Sequence, residues 1–270
     1  MNTVHAFNAF SALSSREIGK FLRQKGRLFS ALVRPALWLL VFAAGFQNVF
    51  GVAVIPPYES YIEYEVYITP GLLCMVILFN GMQSSLTMVY DREVGVMRLL
   101  LTAPLPRWYI LFCKLMAGTL LSLLQVYAFL VICWLFDVDL PVYGLLSALP
   151  AFIISALMLG ALGLLLSVSV KQLENFAGMM NFVIFPMFFM SPALYPLWKL
   201  EEAGAELVYQ IAQFNPFTHA VELVRFALYG QLNSESLFVV AGFFVVFFIL
   251  AVRGYDPQRG SMSQKGRKGG

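Results

Sequence analysis

Six long apolar stretches run along the chain, separated by short polar segments, and this pattern predicts membrane-spanning helices. A helix needs about 20 apolar residues to cross the hydrocarbon core of a bilayer. Five stretches approach or exceed that length, whereas the sixth is short and needs flanking residues or local thinning of the bilayer. Because the stretches are continuously apolar, they do not fit the alternating pattern of a transmembrane β-barrel. We predict an all-α membrane protein with six transmembrane helices, at residues 32–54, 67–89, 109–136, 142–170, 176–197 and 237–252.

Residues 4–29 predict an amphipathic helix ahead of the first stretch. At about 100° per residue, one face collects Phe7, Phe10, Ile18, Phe21 and Leu22, and the opposite face collects Arg16, Lys20, Arg23 and Arg27. Such a helix lies in the membrane interface, with aromatic rings in the acyl boundary and cations toward anionic headgroups. Residues 1–30 are therefore predicted to form a cytoplasmic interface helix. It is either a simple anchor or an elbow that also touches a cytoplasmic partner.

Residues 90–106 combine charge, helical periodicity and two prolines between the second and third stretches. Two acids near the start suit the positive end of a helix, and three apolar residues follow at i, i+3 and i+7. The prolines end the pattern because they lack an N–H group. We predict a short helix over residues 91–103, too short to cross a bilayer. It is either a surface helix that another protein grips or a connector without a partner. The two acids are Asp91 and Glu93, the three apolar residues are Val94, Met97 and Leu101, and the prolines are Pro104 and Pro106.

Residues 204–230 follow the fifth stretch and predict two half-length helices. The first covers about 205–213, and the second begins at Asn215 and Pro216, an N-cap followed by proline at the first helical position. Glu222 and Arg225 are spaced to pair at i, i+3. Neither half can span a bilayer, so we predict re-entrant helices in the outer leaflet. The apolar content disfavours the alternative, a loose extracellular loop.

The charge distribution gives an orientation. Hydrophobic residues make up 60% of the chain and charged residues only 12%, against roughly 45–50% apolar in a soluble domain. Sixteen of the 18 lysines and arginines fall on the side that holds both termini. By the positive-inside rule that side is the cytoplasm. Residues 254–270 are rich in Gly, Ser, Lys and Arg and are predicted to be a flexible basic cytoplasmic tail.

The predicted spans carry little catalytic chemistry. No ionisable residue lies near the middle of a span, and Arg34 and Lys114 sit near cytoplasmic ends where they can snorkel. This counts against ion-coupled transport, and no hydrolase motif is present. We therefore predict no catalytic, cofactor-binding or metal-binding residues, and the isolated Cys74, Cys113 and Cys133 read as small core residues.

Two amides within the spans, Asn80 and Gln125, are the candidates for residues that line a translocation path. Hydrogen bonding between helices is the alternative explanation for such amides. The chain also contains no GxxxxGK[ST] phosphate loop. Any ATP and Mg²⁺ would therefore be bound by a separate subunit, which would have to push on a rigid projection such as the segment after Asp91.

Three motifs together resemble the permease subunits of type-2 ABC exporters, a family of drug, lipo-oligosaccharide, polysaccharide and lipid exporters with separate ATPases. They are PGLL at 70–73, DREVGVMRLLLTAPLP at 91–106 and NPFTHAVELVR at 215–225. The resemblance implies six spans per subunit and two subunits per transporter. It also implies an ATPase-docking set and an outer-gate set. The docking set is Asp91, Arg92, Glu93, Val94, Gly95, Met97 and Arg98, and the gate set is Asn215, Pro216, Glu222 and Arg225.

The functional prediction is a permease subunit in a bacterial inner membrane, with both termini in the cytoplasm and the transmembrane domain at residues 31–253. It would form the path for an amphipathic or hydrophobic substrate such as a drug, lipid or glycan. Its partners would be ABC ATPase subunits and a second permease copy, as a homodimer or with a paralogue, and not nucleic acid. The alternative is an energy-independent channel, scramblase or membrane scaffold. A proton-coupled carrier would need an ionisable relay that the spans lack.

Overall fold

The computed structural model of the chain describes residues 3–23, 25–46, 56–58, 62–95, 106–170 and 172–255. This part is all-helical, as predicted, with eleven helices and no strand. In chain order they are α1 (Thr3–Arg23), α2 (Lys25–Phe46), α3 (Tyr64–Glu93), α4 (Arg107–Leu135), α5 (Gly144–Ser147), α6 (Leu149–Ser169), α7 (Leu173–Phe189), α8 (Trp198–Glu202), α9 (Glu206–Phe214), α10 (Pro216–Leu228) and α11 (Ser234–Gly254).

Four segments are long and apolar enough to cross a bilayer: Tyr64–Glu93, Arg107–Leu135, Gly144–Ser169 and Ser234–Gly254. They coincide with the second, third, fourth and sixth predicted stretches. The first and fifth stretches coincide with the shorter apolar helices Leu32–Val41 and Leu173–Phe189. Residues 47–54 of the first stretch lie outside the described residues.

Helix α3 is the centre of the bundle. Its 30 residues extend for about 45 Å, and it packs against α2, α4, α6, α7 and α10. Within the most apolar 18 residues of α3, 78% of the residues are buried, against 17% within those of α11. Helix α11 packs mainly along α6 and α10. The apolar residues of α3 therefore pack against other helices, whereas most apolar residues of α11 lie on the outside of this chain.

Glycines bring α3 and α6 into backbone contact. A Cβ atom added at Gly81 would lie 3.2 Å from the backbone of Gly160. One added at Gly163 would lie 2.9 Å from the carbonyl oxygen of Gly81 and 2.6 Å from Ser85 Oγ. Small residues allow the two backbones to approach this closely. Membrane helices associate through such close packing because apolar lipid gives them no hydrophobic driving force.

Several predicted boundaries were wrong. The helix predicted over 4–29 is divided between α1 and α2. Helix α7 ends at Phe189, before the turn that begins near Ser191, so the fifth stretch does not continue to 197 as helix. The sixth stretch, by contrast, was predicted to need flanking residues, and polar residues at both ends do extend it to the 21 residues of α11. Asp91 does not begin a helix, since residues 91–93 form the last turn of α3. Residues 96–103 of the predicted short helix lie outside the described residues.

The two half-length helices of the 204–230 region are confirmed as α9 and α10. Asn215 caps α10, where its side-chain oxygen accepts a hydrogen bond from the Phe217 amide at 3.0 Å. Pro216 occupies the first helical position, where a missing N–H costs nothing. The predicted pair between Glu222 and Arg225 is also present.

The glycine contact predicts a large difference between two Gly→Ala substitutions. Gly163→Ala should destabilise the protein by about 1–3 kcal/mol, because the added methyl group overpacks the α3–α6 contact. Gly242→Ala in α11 is the matched control, since nothing lies within 4 Å of its added Cβ. There the change should be neutral or stabilising by at most about 1 kcal/mol. Denaturant unfolding in detergent measures both, and equal effects would contradict the contact.

Candidate functional site

The last turn of α3 begins with a buried carboxylate that has two cationic partners. Asp91 is only 2% exposed. Its Oδ2 lies 3.0 Å from Lys114 Nζ of α4 and 3.5 Å from a guanidinium nitrogen of Arg16 of α1. Lys114 is itself buried, so it does not snorkel to water as the sequence suggested. Asp91 thus joins three helices at one point.

The next two residues attach α3 to the connection between α6 and α7. The Arg92 guanidinium donates to the carbonyl oxygens of Ser167, at 3.0 Å, and Val170. Glu93 Oε1 accepts from the backbone N–H of Leu173 at 3.0 Å, at the first residue of α7. Three consecutive side chains therefore hold different neighbours. We call Asp91, Arg92 and Glu93 with these contacts the α3 end cluster.

Tyr255, directly after α11, packs beside this cluster. It is buried, and its hydroxyl has no hydrogen-bond partner within the described residues. Burial raises the pKa of Tyr255 to about 12, although the charges of Arg92 and Arg107 act in the opposite direction. The phenol therefore stays neutral at physiological pH, and its contribution here is packing and dipole rather than charge.

The predicted docking residues face different environments. Asp91 points into the protein, and Arg92 is half-buried, whereas Glu93 and Val94 are exposed. Gly95 has a φ of +81°, a conformation that favours glycine and turns the chain after α3. Met97 and Arg98 lie outside the described residues. The structure thus separates inward-facing members of this set from surface members.

A second polar cluster surrounds the turn that follows α7. The buried Arg225 pairs with Glu222, donates to the carbonyl of Pro192 and lies over the Tyr67 ring at 4.3 Å. The Tyr67 hydroxyl donates to the same carbonyl at 3.1 Å, and Tyr64 donates to the Leu194 carbonyl at 2.7 Å. These contacts join α10 and the start of α3 to one turn.

Asn215 completes this arrangement. Its Nδ2 donates to the carbonyl oxygens of Met187 at 2.7 Å and Met190 at 2.8 Å, at the end of α7. Gly71 of α3 abuts Ala193 so closely that an added Cβ would lie 2.6 Å from its backbone. Carbonyls that a helix leaves unsatisfied at its end are thereby bonded by side chains. We call this group the 187–194 clasp; its side chains are those of Tyr64, Tyr67, Asn215, Glu222 and Arg225.

The two candidate path-lining amides lie in the interior of this chain. Asn80 is 2% exposed, and its Nδ2 donates to Gly118 O at 3.0 Å and Ser122 Oγ at 2.7 Å, both on α4. Gln125 is fully buried, and neither of its amide atoms has a partner among the described residues. Asn80 therefore contributes to the packing of α3 against α4.

An open apolar groove of about 590 Å³ lies between α7, α9 and α10. It is lined by Met187, Met190, Leu207, Ile211 and Phe214, among others. Within the described ranges, no group of three His, Cys, Asp or Glu side chains could hold a metal ion. Cys74, Cys113 and Cys133 are buried free thiols.

Sequence reasoning missed the residues that complete both clusters. Arg16, Lys114, Tyr64 and Tyr67 received no role beyond membrane anchoring or packing. One signal was available for Lys114. It stands on the same α4 face as Ser122 and Gln125, so a polar stripe on α4 could have been matched with the stripe on α3 that ends at Asp91.

Comparison with known proteins gives a family match over most of the chain. Residues 8–229 match the protein family described as ABC-2 type transporter. The chain is 30% identical over 234 residues to "Putative transport permease ycf38" of Cyanophora paradoxa, covering 83% of this chain and 77% of that protein. It is 29% identical over 218 residues to the protein of that name from Porphyra purpurea, covering 80% and 72% respectively.

A bacterial relative matches at greater coverage and lower identity. "Inner membrane transport permease YadH" of Escherichia coli K12 is 22% identical over 242 residues, which cover 89% of this chain and 90% of that protein. The family match covers most of the chain, and the described part contains four apolar helices long enough to cross a membrane. The chain therefore belongs to the ABC-2 type transporter family and is a membrane permease subunit of an ABC transporter.

Proposed function

We propose that this permease works as an exporter and that a separate ATPase drives it through the segment following α3. The observation that carries this proposal is the α3 end cluster. Three consecutive side chains bond to α1 and α4, to the end of α6 and to the start of α7. A displacement of the segment after Gly95 would therefore be transmitted to several helices at once, and this is what a chain without its own phosphate loop requires.

The cluster divides the predicted coupling residues into two roles. Glu93 and Val94 are exposed and would contact the ATPase, together with Met97 and Arg98. Asp91 and Arg92 would transmit the displacement, because their partners are inside the protein. The Asp91–Lys114 pair suits this role because separating the two charges would leave a buried charge uncompensated, which is strongly unfavourable. The contact between α3 and α4 therefore resists separation at this point.

The proposed topology has six spans with both termini in the cytoplasm. Four spans are the long apolar helices, and α2 and α7 would complete the count. The E. coli relative named an inner membrane transport permease supports the same location for this chain. Positive residues concentrated on one side support the orientation. In this orientation the 187–194 clasp is on the outer side and the α3 end cluster is on the cytoplasmic side.

Helices α9 and α10 would then be the re-entrant pair. With 9 and 13 residues they extend for about 14 and 20 Å, less than the hydrocarbon thickness. One face of α9 exposes Leu207, Ile211 and Phe214, which suits a position within the outer leaflet. Asn215, Pro216, Glu222 and Arg225 would form the outer gate, because they fix the turn after α7 against α3.

A second permease copy would pack against α7. This helix exposes Met179, Phe182, Phe185 and Phe189, and among them also Asn181. An exposed amide near the middle of an apolar helix is costly against lipid and is stabilised by hydrogen bonding to another helix. Two copies related by a twofold axis would let the two Asn181 side chains pair, so we favour a homodimer.

The translocation path would lie between the two copies and would carry an amphipathic or hydrophobic compound, such as a drug, lipid or glycan. The apolar groove beside α7 supports this substrate class. ATP and Mg²⁺ would be bound by the partner ATPase. The alternative, an energy-independent channel, scramblase or scaffold, would use the same helices without needing an ATPase contact at Val94.

Val94→Asp tests the coupling assignment. Val94 is exposed, so the carboxylate should leave the fold intact and disrupt the ATPase contact. We expect recovery of the ATPase on affinity-purified permease, and ATP-driven transport, to fall about tenfold, which corresponds to roughly 1.4 kcal/mol.

Leu232→Asp, at another exposed apolar residue in the connection between α10 and α11, is the matched control and should change neither measurement. The coupling assignment is wrong if native permease recovers no nucleotide-binding subunit. It is also wrong if Val94→Asp recovers as much ATPase as the control.

Asn181→Cys tests the homodimer. We expect mild oxidation in membranes to cross-link two copies through this position, because a pair of residues at a twofold axis lies within disulfide distance. Phe238→Cys on α11 is the matched control, since Phe238 is also exposed on an apolar helix. Only monomers from Asn181→Cys, or equal cross-linking of the two variants, would contradict packing through α7.

Arg225→Gln tests the 187–194 clasp, on which the proposed outer gate depends. The substitution leaves Glu222 without its cation and removes the donor to Pro192, so we expect a loss of about 3–5 kcal/mol of stability. The double variant Arg225→Gln with Glu222→Gln should lose less, because no uncompensated charge remains. Chemical unfolding in micelles measures both. A single variant as stable as the native protein would remove the basis for the clasp.

A further inference from the structure

A polar seam runs inside the chain between α3 and α4. Four residues of α3 recur at helical spacing on the face toward α4, and four residues of α4 face them. We name these eight the polar seam: Asn80, Ser84, Thr87 and Asp91 on α3, and Lys114, Gly118, Ser122 and Gln125 on α4. Such a stripe at the centre of an apolar bundle requires partners for every buried polar atom.

Direct contacts close the seam at two places. Asp91 and Lys114 pair at 3.0 Å at one end. Three turns further along α3, Asn80 bonds to Ser122 at 2.7 Å and to the Gly118 carbonyl at 3.0 Å. Between these contacts lies a small cavity of about 20 Å³, which residues of α6 also line. A single water molecule needs about 10–15 Å³ of such space.

The cavity wall contains unused hydrogen-bonding capacity. Thr119, on its α4 wall, is 3% exposed, and its hydroxyl has no partner within the described residues. Ser85 and Thr87 also line the cavity, and their hydroxyls donate to backbone carbonyls of their own helix, which leaves their oxygen atoms able to accept. A buried hydroxyl without a partner is unfavourable, and water is the usual remedy.

The charges near the cavity favour water over a metal cation. Glu17 and Lys114 both line it, and Arg16 lies close to Lys114 through their shared partner Asp91. Glu17 and Lys114 bring one negative and one positive charge to the lining, so the cavity has no net negative charge to hold a cation. Neutral hydroxyl and carbonyl oxygens together with one ammonium group can all bond to a water molecule.

We propose that the polar seam is an internal water-binding site and that this water makes α3–α4 the movable contact within each subunit. The α3–α6 contact cannot slide without a clash, because the backbones of Gly81, Gly160 and Gly163 touch there. Across the seam, hydroxyls bridged by water can exchange partners with little loss of hydrogen bonding. The movement, but not the water site, rests on the proposed coupling at the end of α3.

Hydroxyl-radical footprinting by X-ray irradiation tests the water site. The experiment uses the full chain alone in lipid nanodiscs. Met88 is 3% exposed and lines the cavity, whereas Met82 on the same helix and Met158 on α6 are fully buried and do not line it. Bound water generates radicals in place, so Met88 should oxidise at least about fivefold faster than either control. Equal rates would show a dry cavity and overturn the proposal.

Thr119→Val removes the unpaired hydroxyl while keeping the side-chain shape. We expect Met88 oxidation to fall toward the rate of Met82. Thr69→Val is the matched control, because Thr69 is a fully buried α3 threonine away from the cavity, and Met88 oxidation should stay at its native rate. A rate in Thr119→Val equal to the native rate would overturn the assignment to this wall. If the rate of Met88 oxidation in the native protein changed when choline replaced Na⁺ or K⁺, the cavity would hold a cation and the water site would be overturned.

The assembled transporter tests the movement. In the presence of the partner ATPase, Met88 oxidation should differ by at least about threefold between the nucleotide-free state and the state with a non-hydrolysable ATP analogue, as the seam opens or closes. An unchanged rate in a complex that transports would overturn the movable contact while the water site stands. If no ATPase associates, the proposed coupling fails, and the result from the chain alone is unaffected.

Discussion

The buried carboxylate of Asp91 is the interaction on which the arrangement of this bundle depends. It lies where α1, α3 and α4 meet, and it binds Lys114 at 3.0 Å and Arg16 at 3.5 Å. A charge in an apolar interior is tolerated only with partners that satisfy it. Because each partner comes from a different helix, the N-terminal helix cannot leave the bundle without exposing this charge. An amphipathic segment that would otherwise only rest on a membrane surface is thereby attached to the helix bundle.

The two ends of α3 use different chemistry for the same purpose. At its C-terminal end, ion pairs and charged hydrogen bonds attach it to four neighbouring segments. At its N-terminal end, Tyr64 and Tyr67 bond to carbonyls of the turn after α7, and Arg225 lies over the Tyr67 ring. Between the ends, α3 combines a close glycine contact with α6 and a polar contact with α4. Helix α3 is therefore a continuous, mostly buried helix of 30 residues that is bonded to its neighbours at both ends.

The sequence allowed the fold class, most of the long helices and both half-length helices to be predicted, because each depends on local signals. Asn215 and Pro216 mark the start of α10 by capping chemistry, and Glu222 and Arg225 pair within one helical turn. The end of α3 was predicted wrongly. Asp91 and Glu93 favour the start of a helix, but the tertiary contacts of Asp91 with Lys114 and of Glu93 with Leu173 stabilise the last turn of the preceding helix instead. Helix-end preferences amount to about 0.3–1 kcal/mol, too little to outweigh a buried ion pair.

The same comparison explains why the clasp and the seam could not be read from periodicity. The partners in the clasp are backbone carbonyls of residues 187–194, which any sequence would supply, so no residue type announces them. In the seam, Asn80 and Gln125 were candidates for residues that line a translocation path, because an amide side chain is unfavourable in lipid. Asn80 bonds to α4, and Gln125 is fully buried in the interior of the same chain. A polar residue inside a transporter subunit therefore does not by itself mark the route of the substrate. It can equally mark the interface at which two helices of one subunit must hold together and still move.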